Sequence, residues 1–115
     1  RGLGDVYKRQ AQAAISDRNE YMIELIAIYR HFGLSLRGRE LPDYLPLMVE
    51  FLALTVDQQD ALRERFIREY LLPFLPPFRE RLKTTHSPYL FLCDALERLL
   101  RLDLEVQARE VARHA

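Results

Sequence analysis

The sequence predicts an all-α protein. Apolar side chains recur at helical spacing along the chain, and no stretch shows the apolar–polar alternation of a half-buried strand. Glycines and prolines cluster at a few points, where they divide the apolar stretches into helices of ordinary length. We therefore expect a helical bundle without a sheet.

The first ten residues are interpreted as foreign to the protein. Residues 5–10, DVYKRQ, read as the in-frame translation of a transposase adapter used in sequencing libraries, so residues 1–10 are treated as a scar. Because such a scar replaces the coding sequence upstream of it, we expect an N-terminally truncated fragment. Residues 11–115 would then be the C-terminal part of a single all-helical domain.

The first predicted helix covers about Arg18–Phe32. Asp17 followed by Glu20 resembles a capping box, and Gly33 is typical of a left-handed helix stop. Apolar residues fill more than half of the helix circumference, which predicts a central helix with little exposed surface. The residues that follow, up to Leu41, are expected to form an ordered loop.

The second predicted helix is Asp43–Leu54, with Asp43 as its N-cap. Nearly all of its residues are apolar, so we expect burial on almost every side. A carboxylate on such a helix needs a partner, and Glu50 is expected to pair with a cation such as Arg18 or Arg30.

Two more helices are predicted before the last one. The first spans about Gln58–Leu72, is capped by Thr55 or Asp57, and ends at Pro73 because proline breaks the hydrogen-bond ladder. A short helix at about Pro77–Lys83 follows.

The last helix is predicted over Pro88–Arg109. Ser87 provides an N-cap and Pro88 suits the first helical position. The predicted inward stripe comprises Tyr89, Leu92, Cys93, Leu96, Leu99 and Leu100.

Composition excludes several classes of protein. Lys and Arg together number 17, as do Asp and Glu, so the chain lacks the basic surplus of a nucleic-acid-binding domain. A single cysteine excludes an internal disulfide and fits a reducing compartment. The apolar runs are far shorter than the ~20 residues that span a bilayer. We expect a cytoplasmic protein without stable membrane insertion.

No residues point to catalysis, a metal or a cofactor. A metal centre in a helical bundle needs inward carboxylates with a Glu-x-x-His pair, or Cys and His at ligand spacing, and neither pattern occurs. His31, His86 and His114 are expected at the surface, and Cys93 in the core. The chain has no Gly-rich phosphate loop and no recognisable Ser, His and Asp arrangement. We predict a protein that is not an enzyme and carries no cofactor.

One stretch resembles a known family. The sequence RELPDYL at residues 39–45, preceded by YRHFGL at 29–34 and followed by VEFL at 49–52, resembles the redox-enzyme maturation chaperones. This family includes the nitrate reductase delta subunit (NarJ) and TorD. The resemblance extends over roughly Asp17–Leu100. The segment EYLLPFLP at 69–76 is closer to the TorD branch, whereas ELPD at 40–43 is closer to the nitrate reductase branch, so both branches stay open.

The resemblance implies a chaperone that binds the N-terminal peptide of a molybdoenzyme catalytic subunit. The client would be a nitrate reductase or an enzyme of the DMSO/TMAO-reductase type. The chaperone would hold this subunit back from docking or export until the molybdenum cofactor is inserted. The Pro-Asp-His signature of the family appears here as Pro42-Asp43-Tyr44, with a tyrosine in the histidine position.

The residues predicted to bind the peptide are Glu40, Leu41, Pro42, Asp43 and Tyr44. Pro42 fixes φ, Asp43 presents a carboxylate near a helix N-terminus, and Tyr44 offers an apolar ring with a polar tip. A basic leader peptide would suit this combination. In the alternative interpretation, Asp43 only caps the second helix.

Two other functions remain open from sequence. The chain is alternatively a purely structural helical subunit, which would have a constant apolar face and no affinity for peptides. A nucleotide- or cofactor-binding helper is the third hypothesis, although the sequence offers no phosphate cradle for it. A truncated chain should also expose an apolar patch larger than the few hundred Å² typical of monomers, and should associate readily.

Overall fold

The computed structural model of the chain describes the backbone of residues 2–38 and 40–114 and the side chains of residues 17–38 and 40–114. Its α-helices are α1 (Gly2–His31), α2 (Leu45–Leu54), α3 (Ala61–Arg65), α4 (Leu75–Thr84) and α5 (Leu90–Arg113). These described residues contain no strand, so the predicted all-α fold is confirmed. The chain forms two compact units, one ending at Leu54 and the other beginning at Thr55.

Helix α1 is longer than predicted. It runs from Gly2 to His31, so the predicted start at Asp17 is wrong. The alanine-rich residues 11–14 favour helix. Asp17 and Glu20, three residues apart, fit the interior of a helix as well as they fit a capping box. The predicted stop is confirmed, because Gly33 has a φ of +78°.

Helices α1 and α2 share an aromatic core in the first unit. The Phe51 ring lies edge-on to Tyr29 and Phe32, with centroid distances of 5.0 and 5.2 Å. The other buried side chains of this unit are Leu25, Ile28, Met48 and Leu52. The predicted burial on nearly all sides is wrong for both helices, since Ile23 is 65% and Leu54 60% exposed. Each helix buries one face.

Helix α3 opens the second unit and is capped by Asp60, whose carboxylate accepts a first-turn backbone N–H at 2.8 Å. The predicted caps, Thr55 and Asp57, are therefore wrong. Thr55 is instead buried, and its hydroxyl accepts a hydrogen bond from Arg63 Nε at 3.0 Å.

A buried arginine connects α3 to α5. Arg63 is only 1% exposed, and its two terminal nitrogens donate to the two carboxylate oxygens of Asp103, with Nη2 lying 3.0 Å from Oδ2. Gln107 donates to the same carboxylate. Both charges are thus paired, and the guanidinium fork matches the carboxylate geometry.

The predicted helix Gln58–Leu72 is broken into three short pieces. After α3, a π-helical turn covers Phe66–Leu71 and a 3₁₀ turn covers Leu72–Phe74. Pro73 has no N–H to continue an α-helical ladder, and the Leu72 N–H bonds five residues back to the Ile67 carbonyl. The side chains buried along this segment are Phe66, Ile67, Tyr70, Leu71 and Leu75.

Helix α5 packs against α4, but its buried face differs from the predicted stripe. Its buried side chains are Cys93, Leu100 and Leu104, whereas Tyr89, Leu92 and Leu99, predicted to point inward, are exposed. Arg79 of α4 donates to Asp94 at 2.7 Å, and this hydrogen bond lowers the pKa of Asp94. The side of α5 next to Asp94 therefore faces α4.

Candidate functional site

The predicted site forms a tight turn immediately before α2. The Tyr44 N–H donates to the Leu41 carbonyl at 3.1 Å and closes the turn over Pro42 and Asp43. The Tyr44 carbonyl then accepts the Met48 N–H at 3.0 Å. Tyr44 therefore occupies the N-cap position, and the interpretation of Asp43 as the N-cap is wrong. We call these four residues the Leu41–Tyr44 turn.

A buried hydrogen bond fixes this turn on α1. The Tyr29 hydroxyl donates to the carbonyl of Pro42 at 2.7 Å, and both groups are buried. Burial raises the pKa of Tyr29 far above its ordinary value, and the charges of Tyr21 and Asp43 raise this pKa further. The hydroxyl therefore stays protonated and keeps donating at any physiological pH.

Replacing Tyr29 with Phe should destabilise the chain by about 1–3 kcal/mol, because the buried Pro42 carbonyl would lose its donor. Urea denaturation followed by circular dichroism measures this loss. Tyr44→Phe removes the hydroxyl of an exposed tyrosine and should change stability by less than about 0.5 kcal/mol. Equal stability of the two variants would show that the Tyr29 hydrogen bond contributes nothing.

The carboxylate of Asp43 faces α1. Its Oδ2 lies 3.8 Å from Nη2 of Arg18, whose side chain is 61% exposed, whereas that of Asp43 is 18% exposed. Burial, and secondly the charge of Asp43, raise the pKa of Tyr21. Asp43 thus lies close to Tyr21. The cationic partner of Asp43, Arg18, is mostly exposed to solvent and makes only a long contact with it.

The other predicted residues differ in exposure. Leu41 is 55% and Tyr44 53% exposed, and Glu40 is exposed beside them. Pro42 is buried, so it contributes to the backbone of the turn and not to its exposed surface. The structure therefore brings the five predicted residues together, with an aliphatic, an aromatic and an acidic side chain available to a ligand.

A cavity of about 490 Å³ lies between the end of α1, the loop at residues 33–37 and α2. We call it the α1–α2 cavity. Tyr29, Leu47 and Phe51 contribute apolar lining, and Glu40 and Glu50 contribute carboxylates. Ligand cavities of this size are common in proteins.

Sequence reasoning missed the roles of two residues in this region. It treated Tyr29 only as part of the segment YRHFGL and Glu50 as half of an internal salt bridge. Within the described part of the chain, Glu50 is exposed and has no ion pair, and Arg18 pairs with Asp43 instead. Only the isolation of Glu50 on an apolar helix hinted at a different role.

The described side chains show no metal-binding or nucleophilic arrangement. They contain no group of three His, Cys, Asp or Glu residues that would hold a metal ion. His31, His86 and His114 are exposed, as predicted. Cys93 is buried, and burial raises the pKa of its thiol, which disfavours the reactive thiolate. No helix in the described part of the chain is long and apolar enough to cross a membrane.

Comparison with known proteins gives one consistent family. The model of the family described as nitrate reductase delta subunit matches residues 4–80. The probable nitrate reductase molybdenum cofactor assembly chaperone NarW of Escherichia coli K12 is 41% identical over 83 residues, which are 72% of this chain and 34% of NarW. The nitrate reductase molybdenum cofactor assembly chaperone NarJ of the same strain is 36% identical over 101 residues, 86% of this chain and 41% of NarJ.

The chain thus spans about a third to two fifths of the length of these two relatives. No solved structure matches it significantly.

Proposed function

Because the chain belongs to the nitrate reductase delta subunit family, we propose that it binds the N-terminal peptide of a molybdoenzyme catalytic subunit in the cytoplasm. The client is a nitrate reductase or an enzyme of the DMSO/TMAO-reductase type. Binding holds the client back from docking or export while its molybdenum cofactor is inserted. The role is that of a chaperone and involves no catalysis, in line with the names of NarW and NarJ.

The single observation that carries this proposal is the Leu41–Tyr44 turn. Its backbone is fixed by the Tyr29 hydroxyl, while the side chains of Leu41 and Tyr44 remain half exposed on top of it. Tyrosine is among the residue types that most often anchor a binding partner, and Leu41 adds apolar surface beside it. The carboxylates of Glu40 and Asp43 add complementarity to a basic leader segment.

Asp43→Asn should weaken peptide binding by on the order of 1–3 kcal/mol, because it removes the charge that a basic client residue would contact. Stability should fall by less than about 1 kcal/mol, since the pair with exposed Arg18 is a surface ion pair. Calorimetric titration with the N-terminal peptide of the molybdoenzyme catalytic subunit from the same genome measures the first effect. Thermal denaturation measures the second.

Two matched variants sharpen this experiment. Asp43→Ala should behave like Asp43→Asn in stability, because Tyr44 and not Asp43 occupies the N-cap. Arg18→Gln should leave binding unchanged or strengthen it, because it removes a cation that competes with the client for the Asp43 carboxylate. Unchanged affinity in Asp43→Asn would remove Asp43 from the binding site. No binding of the peptide by the unmodified chain would overturn the proposed function.

The competing function, a purely structural subunit, has one observation in its favour. The large apolar side chains exposed on α5 are Phe91, Leu92, Leu99, Leu102, Val106 and Val111. A permanently bound partner would cover such a face. Constitutive association in light scattering, together with no affinity for the leader peptide, would support this alternative over the chaperone role.

A further inference from the structure

We propose that two copies of this chain associate through α5, whose exposed apolar side packs antiparallel against the same side of a second copy. The residues that carry the contact are Leu92, Ala95, Leu99, Leu102 and Val106, which we call the α5 stripe. None of them is a predicted peptide-binding residue, so the contact does not depend on the proposed function.

The α5 stripe has the spacing of a coiled-coil seam. Its members follow one another at intervals of three, four, three and four residues. This alternation repeats every seven residues and keeps apolar side chains in one row along a helix. Leu92, Leu99 and Val106 occupy the first position of the heptad, and Ala95 and Leu102 occupy the fourth.

The α5 stripe is separate from the core of the second unit. The side of α5 that is buried carries Cys93, Leu100 and Leu104. By contrast, Leu92 is 63% and Leu99 62% exposed, and the other members of the stripe are exposed as well. The helix therefore has a second apolar side that the rest of the chain leaves uncovered, and such a surface marks an interaction site.

The charges beside the stripe favour a second copy as the occupant. Arg98 and Glu105 are seven residues apart, so both lie on the same flank of the stripe. A two-fold axis between antiparallel helices brings this flank against itself. With Leu99 opposite Leu102 of the second copy, Arg98 faces Glu105 of that copy, and Glu105 faces its Arg98. Both side chains are exposed, and neither forms an ion pair or a side-chain hydrogen bond with another described residue.

A parallel arrangement lacks this complementarity. In parallel helices, the last position of one heptad faces the fifth position of the next heptad of the partner. Glu105 would then face Glu110, and the two like charges would repel. Arg98 would face Asp103, whose carboxylate is already bonded to Arg63. The charge pattern therefore selects the antiparallel orientation.

The exposed apolar area is sufficient for a reversible dimer. A specific interface needs about 1,000 Å² in total. Each copy offers the four large side chains of the stripe and also Phe91, which is 81% exposed and lies one heptad before Arg98 on the same flank. Ten such side chains supply apolar area of this order. Because this is the lower limit of stable interfaces, we expect a dissociation constant on the order of 1–100 µM.

Sedimentation velocity of the unmodified chain, over a series from about 1 to 200 µM, should show a concentration-dependent shift from monomer to dimer. Leu99→Lys should raise the dissociation constant at least about a hundredfold, because the dimer would bury two ammonium groups in its seam. Val111→Lys is the matched control, since Val111 is 60% exposed on α5 but lies outside the stripe. It should dimerise as the unmodified chain does. Both variants should keep the helical circular dichroism spectrum, because both residues are exposed.

The charge pairing is tested with Arg98→Glu and Glu105→Arg. Each variant alone places like charges at both flanking contacts, so its self-association should weaken by roughly tenfold. A one-to-one mixture places opposite charges at both contacts of a mixed dimer. The mixture should therefore associate about as tightly as the unmodified chain, which sedimentation with one variant fluorescently labelled measures.

Four results would overturn the proposal. A chain that stays monomeric over the whole series would leave the stripe to a different protein. A dimer of Leu99→Lys as tight as that of the unmodified chain would place the interface elsewhere. Charge variants that self-associate like the unmodified chain and show no preference for the mixture would contradict the antiparallel register. Stronger self-association of Glu105→Arg would indicate parallel helices, because the introduced cation would face Glu110.

Discussion

Replacing Arg63 with Met should lower the free energy of unfolding by about 3–5 kcal/mol, the usual result of removing one partner of a buried ion pair. The guanidinium is 1% exposed and donates to both Thr55 and Asp103, so its loss removes hydrogen bonds from two polar groups. Asp103 retains 23% exposure, and water screens its charge in part. We therefore expect a value near the lower end of that range. Urea denaturation monitored at the helical circular dichroism band measures it.

The double variant Arg63→Met/Asp103→Leu tests the cause. If the loss comes from an unpaired carboxylate, removing that carboxylate should recover much of the stability, because apolar replacements of a whole buried pair are often neutral. Arg63→Lys should recover little, since an ammonium group cannot serve Asp103 with two parallel bonds and Thr55 with a third. A single variant as stable as the unmodified chain would show that the network contributes nothing to the second unit.

Phe51→Ala should destabilise the first unit by about 3–5 kcal/mol, as is usual when a large aromatic side chain is removed from a core. Phe51 is 2% exposed, and its ring contacts the rings of Tyr29 and Phe32. Because Tyr29 also carries the hydrogen bond to Pro42, the substitution should loosen the Leu41–Tyr44 turn and weaken peptide binding. Urea denaturation and calorimetric titration measure the two effects.

Leu54→Ala is the control for this prediction. Leu54, like Phe51, lies on α2 and lines the α1–α2 cavity, but it is 60% exposed. Its truncation should cost less than about 1 kcal/mol, because little buried apolar area is removed. If Phe51→Ala and Leu54→Ala were equally stable, the aromatic cluster would not be the core of the first unit.

The parts of the fold that depend on local chemistry could be predicted from sequence. The end of α1 follows from Gly33, because a left-handed stop is encoded by one residue. The start of α1 does not, because Asp17 and Glu20 have the same spacing inside a helix as in a capping box. The N-cap of α2 falls one residue after the predicted Asp43, because the turn is closed by the backbone of Tyr44.

Other features depend on tertiary contacts that have no local signature. Nothing in the sequence distinguishes buried Arg63 from the exposed arginines around it, since its partner Asp103 lies 40 residues away. The burial of α2 was overestimated, because an apolar sequence shows which residues are able to be buried and not which face of the helix has a neighbour. The residues of the Leu41–Tyr44 turn were found by family resemblance, whereas Glu50 required the geometry of the cavity.

The hydrogen bond between Tyr29 and Pro42 also has a thermodynamic consequence for recognition. A ligand that arrives at the Leu41–Tyr44 turn meets a backbone that is already ordered, so the conformational entropy lost on binding comes mainly from the ligand. A leader peptide that folds on contact would then bind with favourable enthalpy offset by an unfavourable entropy of its own. Affinity would respond strongly to changes that preorganise the peptide, and only weakly to changes that stiffen the turn.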